Sequence, residues 1–223
     1  MATAAVIPRG FRSRLLRRAL RTGLTLPPEL ADGLTAYYEL LALWNRKINL
    51  TALDDPDQAI DRLLLEPLVA SKHIADPAPA VLDIGSGGGS PALPLKLAIP
   101  GMTLTMVESK ARKAAFLREA VRLLKLSDAR VETARYEELL TKPELHEAAD
   151  IITLRAVRTD ARVLRSLEAL LKPGGLFLLF RSAGGEEVPG SLPPTLAVVA
   201  TLPLVEATRS RIVLIEKRRV GAS

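Results

Sequence analysis

Short apolar runs alternate with helical patterns from Ala80 onward, and this alternation restricts the possible folds more than any other feature of the chain. The runs cover residues 80–84, 102–107, 129–133, 149–154 and 176–180, and helical periodicity lies between them over 110–126 and 160–171. Strands that alternate with helices form βαβ units, which give a parallel sheet with helices on both faces. Two further strands are predicted at 195–204 and 211–216, with no room for a long helix between them. The sequence therefore predicts an α/β fold with a seven-stranded, mostly parallel sheet and an antiparallel last strand.

A helical segment is predicted before the sheet. Apolar residues recur at helical spacing from about Glu29 to Asn45, and a second helix is predicted over 56–73, after an Asp-Asp-Pro start. Residues 76–79 are predicted to be a linker. These boundaries divide the chain into a basic arm at 1–28, a helical segment at 29–79 and an α/β domain at 80–223.

The basic arm carries the whole excess of positive charge. Residues 1–28 hold six arginines and no acidic residue, whereas the rest of the 223-residue chain is balanced. Such an arm can neutralise nucleic-acid phosphates, although a targeting extension or an amphipathic helix docked on the body would have the same composition. We expect RNA contacts from the arm residues Arg9, Arg12, Arg14, Arg17 and Arg18.

Several classes of site are excluded by what the sequence lacks. There is no cysteine, which rules out disulfides, thiolate nucleophiles and cysteine-based metal sites. With only His73 and His146, no metal cluster is expected. The uncharged stretch 188–205 is interrupted by four prolines, so we expect no membrane span. A reducing cytoplasmic setting agrees with this composition.

The segment Val81–Gly89 holds three alternate glycines, Gly85, Gly87 and Gly89, directly after the first strand of the sheet. Glycines there allow a sharp turn and a close approach of a ligand to the backbone. The dinucleotide-binding pattern G-x-G-x-x-G fails because its last position is Ser90. Asp83 could instead receive the ammonium of a zwitterionic ligand, and Glu108, 23 residues after Gly85, could accept both hydroxyls of a ribose.

This acid–glycine pattern resembles motif I of the class I S-adenosylmethionine-dependent methyltransferases, which have a Rossmann-like fold. Flanking residues resemble one family more closely, the bacterial small-subunit ribosomal RNA guanine-N7 methyltransferases, also called glucose-inhibited division protein B. The similar segments are Trp44-Asn-Arg-Lys-Ile-Asn-Leu-Thr51, Leu82-Asp-Ile-Gly-Ser-Gly-Gly-Gly-Ser-Pro91, Glu108-Ser109 with Arg112-Lys113 and Phe116-Leu117, Arg135-Tyr-Glu-Glu138, and Arg155-Ala156. They extend from roughly residue 39 to residue 180.

The resemblance implies a role for each part of the site. Gly85, Gly87 and Ser90 would line the methionine end of the cofactor, and Asp83 and Gly89 would belong to the same cofactor site. Glu108 would hold the ribose, and Tyr136 and Glu137 would lie at the adenine. Arg155 would sit near the sulfonium and orient the target base as the catalytic residue; the alternative is a salt bridge to a loop carboxylate. Phosphate contacts are expected from Lys110, Arg112 and Lys113, unless these residues form only a solvated face.

The chemistry implied is methyl transfer from S-adenosylmethionine to guanine N7 of 16S ribosomal RNA. Attack at pyrimidine C5 needs a cysteine, and Thr153–Arg158 lacks the acid and prolines typical of exocyclic-amine methyltransferases. N7 has a free lone pair and no proton to lose, so alignment matters more than a general base. We expect a monomer that needs no metal and acts on the small ribosomal subunit or a late precursor. Alternatives are a methyltransferase for another RNA site or small molecule, a non-catalytic nucleotide- or RNA-binding module and, third, an oxidoreductase.

The chain departs from the family pattern at three places that bear on RNA docking. Leu63-Leu-Leu-Glu-Pro67 stands where the family has His-x-x-Asp-Ser, Ser90 replaces a bulkier apolar residue, and Arg181-Ser-Ala-Gly-Gly185 replaces Lys-Gly.

Overall fold

The structure is a computed structural model and describes residues 10–52, 55–157, 159–184 and 191–219. Its α-helices are α1 (Phe11–Arg21), α2 (Pro28–Asn45), α3 (Pro56–Ala59), α4 (Glu66–Ser71), α5 (Ala92–Ala98), α6 (Ala111–Leu123), α7 (Tyr136–Leu139) and α8 (Ala161–Leu167). The strands are β1 (Ala80–Ile84), β2 (Thr103–Val107), β3 (Ala129–Glu132), β4 (Ala149–Arg155), β5 (Leu171–Arg181), β6 (Leu196–Pro203) and β7 (Arg211–Lys217).

The strands form one seven-stranded sheet in the order β3-β2-β1-β4-β5-β7-β6. Neighbours from β3 to β5 run parallel, and β7 runs antiparallel to both β5 and β6. This confirms the predicted α/β fold with its antiparallel last strand. The order reverses between β1 and β4, and in sheets of this kind ligands bind at the carboxyl ends of the strands beside the reversal.

Each face of the sheet packs against helices because buried side chains alternate along the central strands. One face contributes Val81, Met106 and Leu178 to a cluster shared with α1, α2, α5 and α6. The other face contributes Leu82, Ile152 and Phe177 to a cluster shared with α8. The first cluster includes buried residues of the arm and of the helical segment as well as of the sheet.

The predicted helix over 56–73 is wrong in its detail. Between α3 and α4 the chain forms a π-helix, Ile60–Leu65, in which the turn is wider than in an α-helix. The predicted helix over 160–171 also ends early, because α8 is followed by a 3₁₀ turn at Glu168–Leu170 and β5 already begins at Leu171. Among the described residues, no helix combines the length and the apolar character needed to cross a membrane.

Candidate active site

The glycine loop, residues 85–90, leaves the carboxyl end of β1 and leads into α5. It is fixed to the neighbouring strand because the N–H groups of Gly85 and Ser86 donate to the carbonyl oxygen of Val107, at 2.9 Å and 3.1 Å. Gly85 has a φ of 72°, and a Cβ atom there would lie 2.8 Å from Cγ2 of Val157. Only glycine fits this position, so the backbone of Gly85 stays open at the surface.

Glu108 follows β2 and lies against the glycine loop. Its side chain is buried, Oε2 accepts from the N–H of Gly87 at 2.9 Å, and Oε1 accepts from the N–H of Lys110 at 2.8 Å. The structure thus brings together the carboxylate and the loop that the sequence places at neighbouring strand ends.

Asp83 lies one residue before the end of β1 and is only 1% exposed. Its Oδ1 accepts from the hydroxyl of Thr153 at 2.5 Å, whereas Oδ2 has no hydrogen-bond partner among the described residues. Burial raises the pKa of Asp83, and the nearby hydroxyls of Ser86 and Thr153 oppose that rise; the Ser86 hydroxyl itself donates to the backbone carbonyl oxygen of Asp83 at 3.1 Å. A buried oxygen without a partner costs free energy, which a donor on a ligand would recover.

Two cavities adjoin the loop and are both bordered by Gly85 and Glu108. The nucleoside cavity, as we call the first, has a volume of about 260 Å³ and is lined also by Val107, Ser109, Ala134, Arg135, Tyr136, Glu137 and Val157. The second, which we call the transfer cavity, has a volume of about 340 Å³. Its lining also includes the loop residues Ser86, Gly87, Gly88 and Ser90, together with Leu41, Leu50, Thr51, Ala52, Leu63, Lys113, Arg155 and Ala156. Small-molecule sites typically measure roughly 300–1,000 Å³, so an elongated ligand could occupy both.

The predicted adenine residues lie in the nucleoside cavity. Tyr136 and Glu137 begin α7, and the turn is fixed by Glu138, whose carboxylate accepts from the N–H of Arg135 at 2.8 Å. Burial raises the pKa of the Tyr136 hydroxyl, and the charge of Glu137 adds to the rise.

Arg155 ends β4 and lines the transfer cavity with its guanidinium held from three sides. Nη2 donates to Oε2 of Glu66 at 2.8 Å, Nη1 donates to the carbonyl oxygen of Arg62, and Cζ lies 4.5 Å from the centre of the Phe180 ring. The Arg155 side chain is 15% exposed and that of Glu66 is 3% exposed. Burial lowers the pKa of Arg155, and the carboxylate of Glu66 opposes this. Within the described part of the chain, Nε of Arg155 and Oε1 of Glu66 have no hydrogen-bond partner. The guanidinium therefore has one orientation, beside the cavity.

Carbonyl groups of the π-helix bind both Arg155 and the glycine loop. The hydroxyl of Ser90 donates to the carbonyl oxygen of Leu63 at 2.9 Å, one residue after the carbonyl that binds Arg155. The alternative prediction of a salt bridge for Arg155 agrees with its pair with Glu66, although Glu66 lies at the start of α4 and not in a loop. Neither Glu66 as the partner nor the support from the π-helix was predicted. The available signal was the position of Glu66, which matches the acid of the family's His-x-x-Asp-Ser pattern.

The two predicted RNA-binding groups lie in different surroundings. Lys113 lines the transfer cavity, and Lys110 and Arg112 are exposed where α6 begins. In the arm, three arginines form ion pairs with the body, Arg12 with Asp32, Arg14 with Asp57, and Arg18 with Asp57 and Asp61. Arg17 is exposed, and Arg9 lies outside the described residues. Residues 11–21 of the arm therefore form an amphipathic helix docked on the rest of the chain.

Comparison with known proteins gives one consistent family. The family model described as rRNA small subunit methyltransferase G matches residues 31–188. A protein named Ribosomal RNA small subunit methyltransferase G from Stenotrophomonas maltophilia (strain K279a) is 40% identical over 181 residues, which cover 80% of this chain and 82% of that protein. One of the same name from Roseiflexus castenholzii is 38% identical over 164 residues, covering 74% of this chain and 70% of that protein.

Solved structures with low sequence identity share the fold. A putative O-methyltransferase from Klebsiella pneumoniae has a TM-score of 0.61 and 16% identity, with 92% of this chain and 96% of that chain covered. A mutant of MtNAS in complex with S-adenosylmethionine has a TM-score of 0.54 and 13% identity, with 96% of this chain and 77% of that chain covered.

Proposed function

Because the chain belongs to the rRNA small subunit methyltransferase G family, we propose that it transfers a methyl group from S-adenosylmethionine to N7 of a guanine in 16S ribosomal RNA. The observation that carries this proposal is the contact between Glu108 and the glycine loop at the border of two cavities. It provides a carboxylate for the ribose between a site for the base and a site for the methionine end.

The residues at the loop fit S-adenosylmethionine by their chemistry. Asp83 lines neither cavity, but it has a buried carboxylate oxygen without a partner in the described part of the chain, and the ammonium of the methionine end would supply one if it reached that oxygen. Gly85 has no side chain to block the backbone. The nucleoside cavity would take the adenine beside Tyr136 and Glu137. When bound, S-adenosylmethionine supplies an electrophilic methyl group on a positively charged sulfur.

Arg155 would orient the target guanine and would take no part in proton transfer. Its three contacts fix the guanidinium plane at the wall of the transfer cavity, where it can stack on a base or hold a phosphate. Guanine N7 attacks with its own lone pair, so the site needs alignment more than a base. Glu108 is the one acidic residue lining this cavity in the described part of the chain, and both its oxygens already accept backbone N–H groups.

Cations at the mouth of the transfer cavity would bind the RNA backbone. Lys110, Arg112 and Lys113 have no ion-pair partner among the described residues and lie where α6 begins, next to Glu108. Arg17 offers a further exposed cation, whereas Arg12, Arg14 and Arg18 would have to exchange a protein carboxylate for a phosphate. We infer that the substrate is the small ribosomal subunit or a late precursor in the cytoplasm, since one small chain offers limited surface for selecting a single base.

Transfer of a radiolabelled methyl group tests the proposal. Small subunits from a strain that lacks the modification should accept label from S-adenosylmethionine, and strand cleavage specific for N7-methylguanine should release a defined fragment of 16S RNA. Subunits from the parent strain, which carries the modification, serve as the control and should accept little label. Label without cleavage would contradict N7 as the acceptor. Absence of label together with tight binding of NAD in calorimetry would favour an oxidoreductase.

A further inference from the structure

Tyr37 joins the N-terminal helical segment to the glycine loop. It lies in α2, is fully buried, and its hydroxyl donates to the carbonyl oxygen of Gly88 at 2.6 Å. The two residues are 51 positions apart, so this hydrogen bond connects the helical segment with the loop that leaves β1.

The loop also fits closely against α2 and the residues that follow it. A Cβ atom on Gly88 would lie 3.2 Å from the carbonyl oxygen of Leu50 and 3.3 Å from Cδ1 of Leu41. The course of the chain at Leu50 is set by Asn45, whose Oδ1 accepts from the N–H groups of Leu50 and Thr51 at 2.8 Å and 2.9 Å. The helical segment therefore presents a preformed surface to one side of the loop.

The loop is held at two adjacent residues, Gly87 and Gly88, by contacts from the sheet and from α2. Glu108 accepts the N–H of Gly87 on the side of the sheet, and Tyr37 donates to the carbonyl of Gly88 on the side of α2. We propose that Tyr37 is a positioning residue that sets the orientation of the loop towards the methionine end of the cofactor. By binding this carbonyl within the protein, Tyr37 fixes the rotation of the peptide group between Gly88 and Gly89. This inference rests on the proposed function, because it assumes that the loop binds S-adenosylmethionine.

The environment of Tyr37 keeps its hydroxyl a donor. Burial raises the pKa of Tyr37 well above its usual value, with Arg155 opposing and Asp83 adding to the rise. The hydroxyl therefore keeps its proton over the pH range in which the protein would be assayed.

The variant Tyr37→Phe removes the hydroxyl and keeps the buried ring. Tyr38→Phe is the matched control, because Tyr38 is the next residue of α2, half-buried, and its ring stacks on Phe11 at 4.1 Å. Calorimetry with S-adenosylmethionine should show that Tyr37→Phe raises the dissociation constant about three- to tenfold, the effect of one net hydrogen bond. Tyr38→Phe should change it less than about twofold. In methyl transfer, the KM for S-adenosylmethionine should rise while the KM for small subunits stays the same.

Two further comparisons separate positioning from a purely structural role. If Tyr37→Phe only lowers the thermal unfolding midpoint and binds the cofactor like the wild type, Tyr37 is a core residue and the inference is overturned. Should Tyr37→Phe fail to accumulate, Gly88→Ala takes its place, because the added methyl group would push the loop away from Leu41 and Leu50. Normal cofactor affinity in Gly88→Ala would then overturn the inference. Wild-type protein that does not bind S-adenosylmethionine would instead contradict the proposed function itself.

Discussion

Asp83 and Glu108 are buried carboxylates at neighbouring strand ends, but their hydrogen-bond partners differ. Both oxygens of Glu108 accept backbone N–H groups, so its charge is compensated before any ligand arrives. One oxygen of Asp83 has no partner among the described residues. Asp83 therefore stores an unfavourable desolvation energy that a ligand cation can relieve, whereas Glu108 also holds the loop in place.

The desolvation cost of the Asp83 carboxylate should appear as a pH-dependent difference in unfolding free energy between the variant Asp83→Asn and the wild type. Burial raises the pKa of Asp83 in the folded state, so the folded protein holds its proton more tightly than the unfolded chain. The penalty is absent below the unfolded pKa and grows as the pH rises towards the folded pKa. Without cofactor, Asp83→Asn should therefore be more stable than the wild type at neutral pH, and the gain should shrink at acidic pH. Urea unfolding at several pH values measures this; a gain that does not vary with pH would contradict it.

Removal of the Glu108 carboxylate should weaken cofactor binding. Glu108→Ala removes the predicted ribose acceptor, and loss of that contact should cost roughly 1–3 kcal/mol of binding free energy. The same change removes the acceptor of the Gly87 and Lys110 N–H groups, which hold the loop in place. Glu132→Ala is the control, because Glu132 ends the adjacent strand β3 and lines neither cavity of the site. An equal dissociation constant for the two variants would argue against the ribose role.

Arg155→Lys tests orientation at constant charge. A lysine ammonium lacks the planar fork that contacts Glu66 and the Arg62 carbonyl together, and it stacks less well on Phe180. We expect turnover to fall at least about tenfold, a barrier increase of about 1.4 kcal/mol, with a smaller effect on the dissociation constant of S-adenosylmethionine. Single-turnover methyl transfer separates the two quantities. Equal losses in both would indicate that Arg155 acts through the cofactor and not through the base.

At the scale of secondary-structure elements, α1 and the π-helix are joined by an ion pair between the partly buried Arg18 and the buried Asp61. Arg18 contacts Asp61 with both its Nε and Nη2 atoms, at 2.7 Å and 2.5 Å, and the side chains are 19% and 4% exposed. The hydrogen bond to Asp61 raises the pKa of Arg18, so the pair stays charged. Asp61 directly precedes the residues whose carbonyls bind Arg155 and Ser90. The basic arm thus stabilises the π-helix, whose carbonyl groups bind Arg155 and Ser90.

Loss of the ion pair between Arg18 and Asp61 should destabilise the fold. Arg18→Ala leaves Asp61 buried without its partner, and such changes cost about 3–5 kcal/mol; because Arg18 is partly exposed, we expect a value near 3 kcal/mol. Arg17→Ala, on the exposed side of the same helix, should change stability by less than about 0.5 kcal/mol. Chemical denaturation of the two variants at matched ionic strength gives the comparison, and similar losses in both would show that the pair contributes little.

The sequence predicts those parts of the fold and site that depend on local pattern. Apolar runs and glycines were sufficient to place the seven strands and to bring Glu108 to the loop. The π-helix could not be predicted, because the apolar spacing over Ile60–Leu65 also suits an α-helix. The partners of Arg18, Arg155 and Tyr37 are 43, 89 and 51 residues away in the chain, and single residues at such separations leave no local signal.

At the scale of the whole molecule, the net charge of +6 gives an incomplete view of where RNA would bind. The arm supplies that excess, yet Arg12, Arg14 and Arg18 are paired with carboxylates of the body. The start of α6 belongs to the electrically balanced part of the chain, but its cations are unpaired among the described residues and lie beside the transfer cavity. For RNA binding, the presence or absence of a carboxylate partner for each cation therefore matters more than the total charge of the chain.

Salt dependence of small-subunit binding distinguishes these two surfaces. The triple variant Lys110→Ala, Arg112→Ala, Lys113→Ala should weaken binding and reduce the slope of log affinity against log salt by about two, since each phosphate contact contributes roughly 0.7–0.9. The triple variant Arg12→Ala, Arg14→Ala, Arg18→Ala removes the same charge from the arm and should change the slope by less than about one. Filter binding between low and moderate salt gives both slopes, with folding of each variant checked by circular dichroism. If the arm variant loses more of the slope, the RNA would displace the body's carboxylates from the arginines, and α1 rather than α6 would carry the backbone contacts.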